Sequence, residues 1–207
     1  MAGLVLAAGA GQRFGDATKQ LALLDGKPLV RHVVDAALAA GLDQVVVVVG
    51  HDAGSVAAAL PDLPGVEVVR NEQYRAGQAA SVRAGIGALA ADVEAVVVLL
   101  ADQPGVSPSA VRRVRAAVED GAEVARARYD DGPAHPVGLA REVFARLLAL
   151  SGDRGARAIF DEVDVIEVDV DGSRPPDVDT PADLARLGGS EARDDRLGHG
   201  RDDDRQQ

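Results

Sequence analysis

Runs rich in Val, Leu and Ala alternate along this chain with segments whose apolar positions recur at helical spacing. Residues 3–7, 45–49, 66–69, 95–101 and 163–168 read as strands. Residues 45–49 are valines in unbroken succession, which suits a strand covered on both faces, as in a parallel sheet. Between these runs, Leu29, Val30, Val33, Val34, Ala37 and Leu38 fall on one helical face. Residues 79–89 and 110–118 predict further helices. The latter opens on Ser107-Pro108, an N-cap residue followed by proline at the first helical position. Thr180-Pro181-Ala182-Asp183 repeats the device near the end, with Asp183 placed to close a capping box. Strand–helix alternation of this kind predicts an α/β fold: a Rossmann-like, doubly wound, mostly parallel sheet with helices on both faces.

Composition narrows the picture. Apolar residues make up 47% of the 207 positions but aromatic ones only 2%, so the core must be built from Val, Ala and Leu. The length suits one domain, expected over residues 1–187. Residues 188–207 carry many Asp and Arg and few apolar side chains, and are expected to be a disordered charged tail. A net charge of −11 and the scarcity of stacking rings argue against nucleic acid as a partner. No run is long enough for a membrane helix and no signal peptide precedes the first strand, so a cytoplasmic protein is expected. The absence of cysteine excludes disulfides, thiolate nucleophiles and Cys-ligated zinc.

Ligands of such sheets sit beyond the carboxyl ends of the strands, so the polar residues that follow each apolar run are the candidates. After the first strand comes Leu6-Ala-Ala-Gly-Ala-Gly-Gln-Arg-Phe-Gly15, with Lys19 four residues on. Gly9, Gly11 and Gly15 let backbone N–H groups approach oxygen atoms closely, and Arg13 and Lys19 add charge, as a polyphosphate site requires. Of the 22 basic residues only Lys19 and Lys27 are lysine, which points to a need for a compact ammonium here. The spacing Gly9-x-Gly11-x-x-x-Gly15 misses the dinucleotide fingerprint by one residue, and no Walker loop or Gly-x-Ser-x-Gly elbow is present.

Asp102 directly follows the fourth run, where a carboxylate can hold Mg²⁺ at the sheet edge or start the turn before Pro104. Asp177 and Asp179 precede the last helix; Thr180 already takes the N-cap role, which leaves either as a second metal ligand. Asn71 follows the third run. Ser81 and Arg83 open the helix after it, where backbone N–H groups favour a base carbonyl or a phosphate. His135-Pro136 lies in an irregular segment ahead of an apolar stretch; a lone histidine is more often structural than catalytic, and the same holds for His51.

These motifs together resemble the MobA-like nucleotidyltransferase family, and most of all its molybdenum-cofactor cytidylyltransferase branch. The resemblance rests on the Leu6 to Gly15 loop with Lys19, on Asn71 with the glycine-flanked stretch from Gly77 to Gly85, and on Leu99-Leu-Ala-Asp-Gln-Pro104. It continues in Ala134-His-Pro-Val-Gly138, Gly152-Asp-Arg-Gly-Ala-Arg157 and Asp177-Val-Asp-Thr-Pro181. It implies a nucleotide-diphospho-sugar transferase-like fold and transfer of a nucleoside monophosphate from an NTP to the phosphate of molybdopterin, releasing pyrophosphate. The base would lie near Ala7-Ala8-Gly9 and Ser81, with Asn71, Gly11 and Arg83 also at the nucleotide. Lys19 and Arg13 would hold the phosphates and share catalysis with Asp102. Asp102 with Asp179 or Asp177 would bind Mg²⁺, and His135-Pro136 would line the acceptor pocket. Ala7-Ala8-Gly9 is similar to cytidylyl relatives, which favours CTP, although uridylyl branches carry it too. A molybdenum hydroxylase is the partner implied. The alternatives are a sugar- or alditol-phosphate nucleotidyltransferase, an NAD(P)H-dependent oxidoreductase of the nicotine-blue type, and a non-catalytic cofactor chaperone.

Overall fold

The computed structural model describes residues 1–14, 17–42, 44–61 and 63–194. The strands are β1 (Ala2–Ala7), β2 (Leu23–Leu24), β3 (Lys27–Pro28), β4 (Gln44–Val49), β5 (Val66–Arg70), β6 (Ala95–Leu100), β7 (Val124–Tyr129), β8 (Gly132–Ala140) and β9 (Val165–Asp169). The helices are α1 (Leu29–Ala39), α2 (Ala53–Ala58), α3 (Gln78–Ala88), α4 (Pro108–Glu119), α5 (Phe144–Leu148) and α6 (Pro181–Asp194). β2 and β3 form a small hairpin of their own, and the other strands make one sheet in the order β5-β4-β1-β6-β8-β7-β9.

β5, β4, β1 and β6 are mutually parallel, with Leu4 opposite Val46 on one side and Val98 on the other. The valine run of β4 shows why this half forms. Val45, Val47 and Val49 enter the core beneath α1 and α4, whereas Val46 and Val48 enter the core beneath α3 and α5. A strand apolar on both faces is stable only with helices on both, and the expected doubly wound architecture is borne out.

The chain winds outward from β1 to β4 and β5, then crosses back to β6 on the other flank of β1. The reversal opens a crevice between the carboxyl ends of β1 and β6, the usual ligand position in such sheets. The long loop from Gly9 to Pro28 and the turn carrying Asp102 border it. A third, smaller apolar cluster of Phe14, Leu24, Leu29 and Val178 pins the loop to the segment before α6.

β8 runs antiparallel to both β6 and β7, and neither β7 nor β8 is among the strands expected from the pattern. β7 reads Val-Ala-Arg-Ala-Arg-Tyr and β8 contains Pro133 and Pro136, features that weaken a strand signal. The expectation that His135-Pro136 lies in an irregular segment is therefore corrected. The pair sits inside β8 at a shift of register, where Arg126 faces Val137 but Ala127 faces Ala134. At the other end, α6 spans Pro181–Asp194 and so runs across residue 187. Gly15 of the glycine loop and tail residues 195–207 lie outside the described residues.

Candidate active site

Gly11 adopts a left-handed φ of +57°, and a Cβ there would stand 2.9 Å from the Lys19 Cβ. The glycine thus lets the loop fold tightly over the residue that carries the cation. Below it, Gln20 donates through Nε2 to the Gly9 carbonyl at 2.8 Å and braces the turn. Thr18 donates to Asp52 at 2.8 Å, tying the loop to the end of β4.

Lys19 is drawn inward and only 7% exposed. Its Nζ lies 2.7 Å from Asp102 Oδ2 and 2.9 Å from Asp179 Oδ1. Burial by itself would depress the ammonium pKa, but the two carboxylates, Asp102 foremost, outweigh it and the pKa is raised. Arg13 is exposed and reaches Asp179 Oδ2 at 3.5 Å. Val178 explains how residues so distant in sequence meet. Its N–H donates to the Asp102 carbonyl at 2.9 Å and its side chain is fully buried, which presents Asp177 and Asp179 on either side. Asp183 accepts from Thr180 N at 2.8 Å and returns its own N–H to the Thr180 hydroxyl at 3.2 Å, so the expected capping box fixes this approach.

Asp177 accepts instead from Gln103 Nε2 at 2.9 Å. Of the two alternatives for a second metal ligand, Asp179 is the one beside Asp102. Asp102 Oδ1 is buried without a hydrogen-bond partner among the described residues. No group of three or more metal-ligating side chains converges among the described residues. A paired carboxylate site with a spare oxygen nevertheless fits Mg²⁺, which takes one or two carboxylates and completes its shell with phosphate oxygens and water.

A cavity of about 260 Å³ opens along this array, lined among others by Ala8, Gly9, Gly11, Lys19, Ser81 and Asp102. Ser81 is buried and accepts from Asn71 Nδ2 at 3.1 Å. Its own hydroxyl proton is then free to donate elsewhere. Ala7 ends β1 immediately before the lining residues. Two expectations need correction here. Arg83 donates to the Leu150 carbonyl and is not in the cavity wall, because it stands on the second turn of α3 and faces the loop after α5. The N-terminus of α3 is not open to a ligand either. Gln78 N–H is accepted by Asp153 Oδ1 at 3.3 Å and Ala79 N–H by the Gly152 carbonyl at 3.2 Å.

A second cavity, about 240 Å³, shares Leu6, Gln78 and Leu100 with the first. His135 lines it, together with Arg126, Arg157 and Phe160, while Pro136 lies behind the wall. Enclosure pushes the His135 pKa down to about 4, with Arg157 adding to the effect and Asp102 opposing it, so the imidazole is neutral near pH 7. The register shift in β8 turns His135 out of the ladder and toward this space. Sequence reasoning missed Gln20, Tyr74 and Arg126. Tyr74 alone left a trace, as one of few aromatic residues in the chain. A larger hollow of about 520 Å³ lies around Met1, Glu94, Glu123 and Glu142, at the opposite end of the strands, away from where the loops converge.

Known proteins resemble this chain over most of its length. The model of the MobA-like NTP transferase domain matches residues 3–167. A nicotine blue oxidoreductase from Paenarthrobacter nicotinovorans is 34% identical over 200 residues, covering 89% of this chain and 95% of its own. The bifunctional protein GlmU of Sorangium cellulosum (strain So ce56) is 34% identical over 164 residues, 75% of this chain, and the match spans 34% of GlmU. Among solved structures, Rv0371c from Mycobacterium tuberculosis H37Rv superposes with a TM-score of 0.80 at 35% identity, covering 91% of this chain and 98% of that one. A structure of Rv0371c in complex with manganese aligns with a TM-score of 0.77 at the same identity and coverage.

Proposed function

The chain belongs to the MobA-like NTP transferase family, and from that premise we propose that it transfers a nucleoside monophosphate, preferentially CMP, from an NTP to the phosphate of molybdopterin. One observation carries the reading: Lys19 from the glycine loop, Asp102 from the end of β6 and Asp179 from before α6 meet at the sheet crevice.

In this reading the triphosphate lies along the loop from Gly9 to Gly11, with Lys19 and Arg13 as its cations. Ser81, held by Asn71, offers its hydroxyl proton to the base. Asp102 and Asp179 would hold Mg²⁺, whose charge would offset that developing on the α-phosphate and the departing pyrophosphate. The acceptor enters beside His135. Its phosphate oxygen forms a bond to the α-phosphorus as the bond to the pyrophosphate oxygen breaks. The attacking group is already anionic, so no general base is required. The protein must align mutually repelling anions and neutralise their charge. A molybdenum hydroxylase is the client that such a product would serve.

Incubation with Mg²⁺, molybdopterin and each NTP in turn should release pyrophosphate, fastest with CTP. Asp102→Asn should abolish the release. The extended likeness to a nicotine blue oxidoreductase favours a second reading, reduction of a substrate by NAD(P)H. NADPH oxidation without pyrophosphate release would select it. Pyrophosphate release with a sugar phosphate but not with molybdopterin would keep the chemistry and change the acceptor.

A further inference from the structure

Two demands on Lys19 conflict. To pair with phosphate, its ammonium must point into the cavity that it lines with Gly9 and Gly11. In the structure it points at carboxylates instead: Nζ lies 2.7 Å from Asp102 Oδ2 and 2.9 Å from Asp179 Oδ1. These two side chains are the ones that the transfer reading gives to Mg²⁺. A metal at its usual distance of about 2.0–2.1 Å from the same oxygens would set like charges almost in contact with the ammonium. Lysine and metal must therefore exclude one another there.

The charges explain why neither exchange happens alone. Lys19 and Arg13, the latter 3.5 Å from Asp179, together balance Asp102 and Asp179. A divalent cation arriving by itself meets no net negative charge at this pair, and an ammonium that repels it. Nor can Lys19 simply leave. Asp102 Oδ1 is already buried without a partner among the described residues, and losing Nζ would strand the whole carboxylate. A triphosphate resolves both difficulties, since it offers the ammonium new oxygens and brings the metal with it. The backbone takes no part in such a move. A Cβ on Gly11 would stand 2.9 Å from Lys19 Cβ, and the adjacent Gln20 is buried and tied to the Gly9 carbonyl. Only the flexible four-carbon stem is free to swing.

We propose that Lys19 is the resident counter-ion of Asp102 and Asp179 in the nucleotide-free protein, and that its swing onto the triphosphate opens the pair to a divalent cation. The site thus admits metal with nucleotide and refuses metal alone. This rests on the nucleotidyl-transfer reading and adds to it an order of binding. By linkage, nucleotide and metal must raise each other's affinity by the same factor.

The test uses the full chain. Lys19 and Lys27 are its two lysines, so isotope labelling of lysine side-chain nitrogens gives one NMR signal for each. Lys27, which donates to Asp35 at 2.8 Å, serves as the internal reference. Mg²⁺ alone should leave the Lys19 signal in place. Mg²⁺ with the α,β-methylene analogue of CTP, which cannot release pyrophosphate, should shift it and leave Lys27 unmoved. In a second arm, binding of Mn²⁺ is followed by electron paramagnetic resonance. Lys19→Met keeps the stem and removes the charge, and without nucleotide it should bind Mn²⁺ about tenfold or more tightly than wild type. The analogue should tighten Mn²⁺ binding about tenfold or more in wild type and by less in the variant. A Lys19 signal that shifts with Mg²⁺ alone, or stays put when Mg²⁺ and the analogue bind, overturns the inference. Equal Mn²⁺ affinity in wild type and Lys19→Met overturns it too. Failure of the wild type to bind any NTP would instead sink the transfer reading, and the Mn²⁺ comparison would still decide whether Lys19 keeps metal from the carboxylates.

Discussion

Lys19 is the residue on which the site balances. Its ammonium neutralises two carboxylates in a setting where it is 7% exposed, and removing it leaves Asp102 and Asp179 with only the exposed Arg13, 3.5 Å from Asp179, to offset their charge. Lys19→Ala should lower kcat/KM for nucleotidyl transfer by about a hundredfold or more. Lys19→Arg should recover little of it, because a planar guanidinium cannot occupy the space between Oδ atoms at 2.7 and 2.9 Å. His135 gives a prediction in pH. Its folded pKa of about 4 lies below the ordinary histidine value of 6.5, so between these values the unfolded chain binds the proton and the folded one does not. The contribution to stability is complete above about pH 6.5 and is lost as pH falls toward 4. Denaturant unfolding at pH 7 and pH 5 should therefore show a smaller drop for His135→Gln than for wild type, with Asp102 and Arg157 present in both.

Among the elements, α3 is held by what crosses its start. Gly77 has a φ of +102°, and a Cβ there would collide with the Gly152 backbone. Gly77→Ala should lower stability by about 1–3 kcal/mol and loosen the wall between the cavities, read as a fall in Tm with a rise in KM for the NTP. The cap of α4 is a simpler case. Ser107 accepts from Ala110 N at 3.1 Å, with Pro108 at the first helical position, and Ser107→Ala should cost about 1 kcal/mol with no change in KM. The starts of α4 and α6 were legible because capping is local chemistry: Ser107-Pro108 and Thr180 with Asp183 need only a few adjacent residues. β7 and β8 were not, because Arg126, Arg128, Pro133 and Pro136 conceal a strand that only its neighbours in the sheet stabilise.

At the scale of the molecule, one sheet with a core on each face carries the crevice at its switch point. Leu99 is fully buried in β6, three residues before Asp102. Leu99→Ala should cost about 2–5 kcal/mol by leaving a cavity beneath the site, which thermal unfolding would register. Among the described residues no helix is long and apolar enough to cross a membrane. The strong negative charge makes the positive face of the second cavity a local exception, and acceptor binding should weaken as salt rises.

Periodicity and local chemistry were enough to determine the parallel half of the sheet, the helices on both its faces, the glycine loop and the place of Lys19 and Asp102 as candidates at the strand ends. Each of these depends on near neighbours in the chain, where apolar spacing and turn-forming residues are visible. Tertiary structure alone decided that Asp179 stands beside Asp102 while Asp177 goes to Gln103, and that Arg83 turns away to Leu150. It also decided that a register shift in an antiparallel strand turns His135 toward Arg157. Those choices depend on which distant segments share a crevice, and burial of Val178 and strand order fix that only once the chain has closed on itself.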